Sequence, residues 1–171
     1  MSVATTMKAQ AAALRESFLL TDKPVLYVAN VDEAGLVGES EVVAALERHA
    51  EKTGAGVVRI SARIESELAE LAPDDKLAFL HHLGLEEPGL HRLIRAAYTL
   101  LDLVTYFTAG EKEVKAWTIA RGTLAPQAAG VIHTDFERTF IRAEVIPYED
   151  YVACDGEVGA RAAGKLRIEG R

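Results

Sequence analysis

The hydrophobic and polar positions of this 171-residue chain fall into two textures, one before and one after Asp102. The first opens in an Ala-rich stretch where Met7 to Leu20 has helical spacing, with Ala11, Leu14 and Phe18 on one narrow apolar face. Thr21-Asp22-Lys23-Pro24 ends it, because the residue before a proline is pushed out of the helical region. Val25-Leu26-Tyr27-Val28-Ala29 then runs apolar without a break, as in a parallel strand covered on both faces, and stops at Asn30. Glu39 to Lys52 reads as an amphipathic helix whose stripe is Val42, Val43, Leu46 and Ala50, with Thr53-Gly54 as terminator. Val57-Val58-Arg59-Ile60 reads as a second short strand ending in Ser61-Ala62. Residues 24–62 thus predict one βαβ unit with parallel strands. Three helices follow: Ile64 to Leu71, Pro73 to Leu83, and Pro88 to Leu101 with Leu90, Ile94, Ala97 and Leu101 on one face.

After Asp102 the period shortens. Leu103 to Thr108 and Val114 to Ile119 are β-rich runs joined by a short loop with Gly110, which predicts a β-hairpin. A helix from Pro126 to about Phe140 would place Ala129, Ile132, Phe136 and Phe140 on one face, and Arg142 to Ile146 is a third strand closed by Pro147. Hairpin, helix and strand form the opening of a small β-grasp (ubiquitin-like) layer. Glu157 to Arg171 carries glycines and charges, and no closing strand is expected in it. The first half also shows a deficit, since two parallel strands bury little and parallel sheets need further strands with helices on both faces. The predicted class is α/β, an incomplete βαβ-plus-helices domain followed by a truncated β-grasp domain. Exposed apolar surface and marginal stability or association are expected of the first half.

Charge narrows the function. The net charge of −7 argues against a general nucleic-acid binder, whose affinity would rest on phosphate neutralisation. Residues 1–101 hold 10 basic and 15 acidic side chains and residues 102–171 hold 9 and 11, so a local basic face on the second half is still open. Cys154 is the only cysteine, which excludes an internal disulfide and fits a reducing, cytoplasmic setting; it reads as a packing residue. No apolar run approaches a membrane span, and no signal-peptide pattern opens the chain. No membrane partner and no sequence-specific DNA partner are expected.

Candidate chemistry concentrates after the first strand. In open α/β sheets the ligand sits just beyond the carboxyl ends of the strands. There an amide, Asn30, and a carboxylate three residues on, Glu33, could read the edge of a small planar group. Equally, Asn30 caps the strand end, and Asp32 and Glu33 form a solvated turn. His81, His82 and His91 lack a close third ligand, so no metal is assigned to them. Gly159 to Leu166 fits the Gly-x4-Gly-Lys part of a phosphate-binding loop, but Leu166 stands where a Ser or Thr must hold magnesium and no buried strand precedes it. That segment reads as a helix with a glycine near its end.

Several longer motifs agree with one another. Val25-Leu26-Tyr27-Val28-Ala29-Asn30-Val31-Asp32-Glu33, Leu85-Glu86-Glu87-Pro88-Gly89-Leu90, Thr105-Tyr106-Phe107-Thr108-Ala109-Gly110, Lys112 to Thr118 and Ala125 to Glu137 together resemble the Obg-like ATPases, the YchF family of P-loop NTPases. The similarity runs in order from about residue 12 to the end. It implies that residues 1–22 end a helical coiled-coil insertion, that 23–101 form the later part of a G domain, and that 102–171 form most of a TGS domain of β-grasp type. It also implies that the phosphate-binding loop and switch regions lie upstream in the family, so the chain is expected to be a fragment that does not hydrolyse ATP by itself.

The resemblance gives residues roles. In guanine-reading relatives the box is Asn-Lys-x-Asp; here Val31 stands for the lysine and the longer Glu33 for the aspartate, both of which remove parts of a guanine clamp. By resemblance Asn30 would brace the loop, Val31 would pack by an adenine base, and Ser61 and Ala62 would offer backbone groups to its edge. The implied cofactor is ATP, held weakly or partially here, with Mg2+ in the full-length family only; the implied partner is the large ribosomal subunit. The alternative is a non-enzymatic TGS-type module docking on a ribosomal or protein partner, which exposed Tyr106, Phe107, Trp117 or His133 would favour. An unrelated small α/β enzyme would need a catalytic pair that the residues do not supply.

Overall fold

The computed structural model describes residues 18–110 and 112–170. The chain divides into two compact units, Met1–Leu101 and Asp102–Arg171. Most of the helix expected between Met7 and Leu20 lies outside the described residues. Its end differs from expectation: Phe18 sits in a turn with φ of 50°, and Leu20–Asp22 is a single 3-10 turn.

In the first unit β1 (Leu26–Asn30) pairs in parallel with β2 (Gly56–Ile60), Leu26 opposite Gly56 and Asn30 opposite Ile60. Between them lie α1 (Glu33–Val37) and α2 (Glu41–Thr53). Ser40 caps α2, and Gly54, with φ of 68°, ends it in the left-handed conformation that a side chain would resist. After β2 come α3 (Ala62–Glu70), α4 (Pro73–His82) and α5 (Gly89–Leu100). The core gathers Leu36 of α1 with Ile64, Leu68, Leu80 and Leu85, and Val31, Leu71, Phe79 and Leu83 pack against it. The loop after β1 is therefore anchored by its own apolar residues, Val31 and Leu36.

Four expectations for this unit need correction. The turn expected at Asp32 and Glu33 is the start of α1, because the Asp32 carboxylate accepts a hydrogen bond from the Gly35 amide at 2.9 Å and caps the helix. In α2 the inward line runs through Val43 and Ala50, seven residues apart, while Val42 is 80% exposed. The strand β1 is not covered on both faces, since Val28 is 44% exposed. On α5 the expected apolar face is likewise turned outward, with Leu90, Ile94 and Leu101 all about half-exposed. Gly89 fixes that rotation: a Cβ there would meet Ile60 Cγ2 at 3.1 Å, so the glycine edge of the helix faces β2.

In the second unit β3 (Leu103–Ala109) and β4 (Val114–Ala120) form the expected antiparallel hairpin, with Tyr106 opposite Trp117. The single helix expected to Phe140 is two, α6 (Ala125–Ile132) and α7 (Thr134–Thr139), broken at His133, whose backbone is extended. The break has a local cause. His133 Nδ1 accepts from the Asp135 amide at 3.2 Å and so starts a new helix instead of continuing the old one. Then follow β5 (Arg142–Val145), α8 (Tyr148–Ala153), α9 (Glu157–Ala162) and β6 (Arg167–Gly170). A closing strand exists after all: β6 pairs antiparallel with β5, Arg142 opposite Gly170. All four of its residues are exposed, so no apolar pattern signals it; the pairing is made by the backbone. Among the described residues the hairpin and the β5–β6 pair are separate two-stranded sheets, not one layer.

Candidate functional site

The loops after β1 and β2 leave the carboxyl ends of two neighbouring parallel strands, and a side chain joins them. Asn30 Oδ1 accepts from the Ala62 amide at 3.0 Å, and the Val31 amide donates to the Ile60 carbonyl at 2.8 Å. Asn30 thereby serves one of the amides that the start of α3 leaves without a helical partner. Ser61 is buried at 3% exposure, and its carbonyl accepts from the Glu65 amide at 2.9 Å. The structure thus brings Asn30, Val31, Ser61 and Ala62 into one junction. The Ala62 amide and the Ser61 carbonyl both already serve internal bonds there.

Glu33 lies a step away, exposed at the start of α1. With Asp32, Ala34, Val37, Arg63, His82 and Leu83 it lines an open depression of about 460 Å³. Asn30, Ser61 and Ala62 do not line it. A second depression of about 420 Å³ lies along Val31, Asp32, Ala34, Gly35, Glu39 and Ser40. Glycine is required at Gly35 in the second, since a Cβ there would come within 2.8 Å of Val31 Cβ. Arg63 follows Ala62 directly and donates through Nε to Glu67 Oε1 at 2.9 Å. Its guanidinium is held protonated above its usual range, first by the Glu67 hydrogen bond and, more weakly, by the charge of Glu33.

Two supports of this junction were not readable from spacing. Glu65 Oε1 accepts from the Gly89 amide at 2.7 Å, tying α3 to the start of α5 across 24 positions. Arg59 reaches from β2 to the Gly38 carbonyl at 3.1 Å and to Glu47 at 2.8 Å, holding the α1–α2 turn. The Asp32 cap had a signal, a carboxylate three residues before Gly35. Among the described residues no group of three or more His, Cys, Asp or Glu side chains converges on a common point; His81, His82 and His91 are exposed.

The second unit offers a different surface. Phe107 is 52% exposed and its ring lies 5.7 Å from that of Tyr148, itself 61% exposed. On the other face of the hairpin Tyr106 donates to the Ala128 carbonyl at 2.8 Å, Trp117 Nε1 donates to Thr108 Oγ1 at 2.9 Å, and the Lys115 ammonium sits 4.0 Å above the Trp117 ring. Of the aromatic candidates, Tyr106 and Trp117 are therefore half-buried in polar contacts, and Phe107 and His133 are exposed.

The chain as a whole is similar to known proteins. The Ribosome-binding ATPase YchF of Pasteurella multocida is 55% identical over 159 residues, covering 93% of this chain and 44% of its own length. That of Bacillus subtilis is 52% identical over 160 residues, 92% of this chain and 44% of that protein. A family model described as YchF-GTPase_C, protein of unknown function, matches residues 103–171. Over most of its length the chain is strongly homologous to the YchF proteins. Obg-like ATPase 1 of Gallus gallus is 38% identical over 163 residues, 92% of this chain and 40% of that protein. The solved structure of the Schizosaccharomyces pombe YchF GTPase has the same α/β fold, with a TM-score of 0.79 at 34% identity over 92% of this chain and 42% of that one. The chain spans less than half the length of the YchF proteins it matches. No helix among the described residues is long and apolar enough to cross a membrane.

Proposed function

We propose that residues 23–101 are the base-recognition part of an ATP-binding G domain, and that residues 102–171 are a TGS-type β-grasp module through which a cytoplasmic Obg-like ATPase meets the large ribosomal subunit. The observation that carries the nucleotide half is the 3.0 Å bond from the Ala62 amide to Asn30, which locks together the two strand ends where α/β sheets hold ligands. In this reading Asn30 braces the loop, Val31 packs by the base, Ser61 and Ala62 form the floor beneath its edge, and Glu33 faces it from α1. A carboxylate at Glu33 suits the 6-amino group of adenine. The loss of a lysine at Val31 removes a support for guanine. The names of the relatives lend the rest, ribosome-binding ATPase and Obg-like ATPase, while the yeast structure is called a GTPase, so the base is the point to test.

Phosphoryl transfer needs a phosphate cradle, magnesium and a positioned water. The reading assigns none of these to the 171 residues, and Mg2+ is placed on none of their side chains. The deciding experiment is calorimetric titration of the chain with ATP, GTP and adenosine, with and without Mg2+. The expected result is weak, magnesium-independent binding of ATP and adenosine with no response to GTP. Tight magnesium-dependent binding, or preference for GTP, would overturn the reading. A second reading, a docking module alone, rests on the exposed Phe107–Tyr148 pair. It predicts co-sedimentation with large ribosomal subunits that Phe107→Ala abolishes, in a chain that binds no nucleoside.

A further inference from the structure

The two edges of the β1–β2 sheet differ. Arg92 of α5 reaches round the edge of β2 that faces away from β1 and donates to the Arg59 carbonyl at 3.2 Å. Among the described residues only β2 pairs with β1. The Val31 amide and the Val25 carbonyl both bond towards β2, at 2.8 and 3.4 Å, so the backbone groups of Leu26, Val28 and Asn30 point the other way. An edge of that kind is a template for another extended strand.

Apolar side chains collect over the same edge. Tyr27 lies against His49 of α2 with ring centroids 5.9 Å apart, so Val28, one position on, projects on the opposite face. That is the face α5 covers, since Gly89 meets Ile60, and Ile60 pairs with Asn30. Leu90, Ile94 and Leu101 stand two, two and nine positions from Arg92, about 180–200° round the helix from it. With Arg92 turned to the β2 edge, these three are turned to the β1 edge. They and Val28 are all about half-exposed. The backbone edge and the apolar overhang form one surface.

We propose that a second copy of this chain covers the surface, its β1 pairing antiparallel with the first β1 about a two-fold axis at Val28. The strand is complementary to itself in that direction. With Val28 opposite Val28, the outward groups of Leu26 meet those of Asn30, and Tyr27 falls opposite the small Ala29. Pro24, the next outward position before Leu26, has no N–H and ends the ladder. Lys23, whose backbone is extended, lies five positions before Val28 and Glu33 five after, so each lysine comes towards the other copy's carboxylate. Centring the pair on Tyr27 would instead set Asp22 against Asp32. A parallel pairing would set Lys23 beside Lys23 and would not close about a two-fold axis. Charge thus selects direction and register, while burial of Val28 and of the apolar side of α5 against its counterpart supplies the strength.

The test makes residue 28 its own neighbour. Sedimentation velocity on the full chain should show a monomer–dimer equilibrium with no larger species. Val28→Lys and Val28→Glu should each weaken the dimer at least about ten-fold, because like charges then face each other across the axis. An equimolar mixture of the two variants should recover a dimer, since lysine then meets glutamate. Far-UV circular dichroism matching that of the parent shows that the variants keep their fold. A second measurement puts no charge in the sheet. In Cys154→Ser chains, Val28→Cys should cross-link on mild oxidation about ten-fold faster than Val42→Cys on the exposed side of α2. A parent that stays monomeric leaves the surface to another occupant and overturns the proposal. Variants that dimerise as well as the parent, or association that runs on into open-ended species, overturn it too. If the mixture stays monomeric, or Val28→Cys cross-links no faster than Val42→Cys, the copies do not meet at residue 28 and the two-fold register is wrong.

Discussion

At the scale of single residues, the site rests on side chains that serve the backbone. Asn30 is exposed, yet its Oδ1 is the acceptor for the Ala62 amide at 3.0 Å. Removing it leaves that amide to water. Asn30→Ala should therefore lower stability by only about 0.5–1 kcal/mol in urea unfolding while weakening adenosine several-fold, because the loop loses its brace. Asn30→Asp keeps the acceptor and should restore stability. Equal losses for the two variants would deny the brace. Tyr106 supplies a pH dependence. Burial raises its phenol pKa above the usual 10.0, and its hydroxyl donates to the Ala128 carbonyl. A folded pKa above the unfolded one means that the folded state holds the proton more firmly. The stabilisation is thus fully present below the unfolded value and is lost as pH rises through the folded one. Between pH 9 and 11 the urea midpoint of the unaltered chain should fall more steeply than that of Tyr106→Phe, which starts about 1 kcal/mol lower at neutral pH. Parallel curves would exclude Tyr106 as the source.

At the scale of elements, the sequence and the structure agree where a period is long and part where a local bond decides. The strands at Leu26 and Gly56, the helix ended by Gly54 and the hairpin around Gly110 were legible because apolar spacing and a glycine point to the same place. The break at His133 was not. Ala129, Ile132, Phe136 and Phe140 keep helical spacing through it, and only the His133–Asp135 bond shows that the chain starts again. Strand β6 was invisible for another reason, since exposed residues leave no pattern. For the candidate site, Asn30 followed from its place at a strand end, whereas Val31, Ser61 and Ala62 came only from the family resemblance. The neighbourhood of Glu33 and Arg63 did not follow, because it depends on α1, a helix of five residues that was read as a turn. The α8–α9 corner gives the clearest element-level prediction. A Cβ at Gly159 would lie 1.9 Å from the Cys154 carbonyl oxygen, which is backbone and cannot rotate away. Gly159→Ala should cost about 2 kcal/mol or more by forcing α9 off α8. A thermal midpoint within a degree of the parent would mean that the corner is looser than its geometry.

At the scale of the whole molecule, what matters is apolar surface that the first unit leaves in water. Scattered exposed hydrophobic residues are ordinary on a soluble protein. Here they line up. Leu90, Ile94 and Leu101 lie on one side of α5 at 50%, 49% and 55% exposure, and β1 adds Val28 at 44%. A two-stranded parallel sheet is rarely left so open, because such strands are usually buried on both faces. Association of this chain with itself at raised concentration is the expected consequence, and it is driven by the hydrophobic term rather than by charge, since the net charge of −7 opposes it. Ile94→Glu tests this without disturbing the fold. Glutamate is a better helix former than isoleucine, and the position gives up little burial, so unfolding should shift by no more than about 0.5 kcal/mol. Sedimentation velocity at rising concentration should show a growing weight-average coefficient for the parent and a nearly flat one for Ile94→Glu. Raising the salt should sharpen the contrast, because screening weakens the repulsion that holds the parent chains apart. If both chains sediment alike at every concentration, the apolar side of α5 is inert, and the open face of the first unit does not drive association.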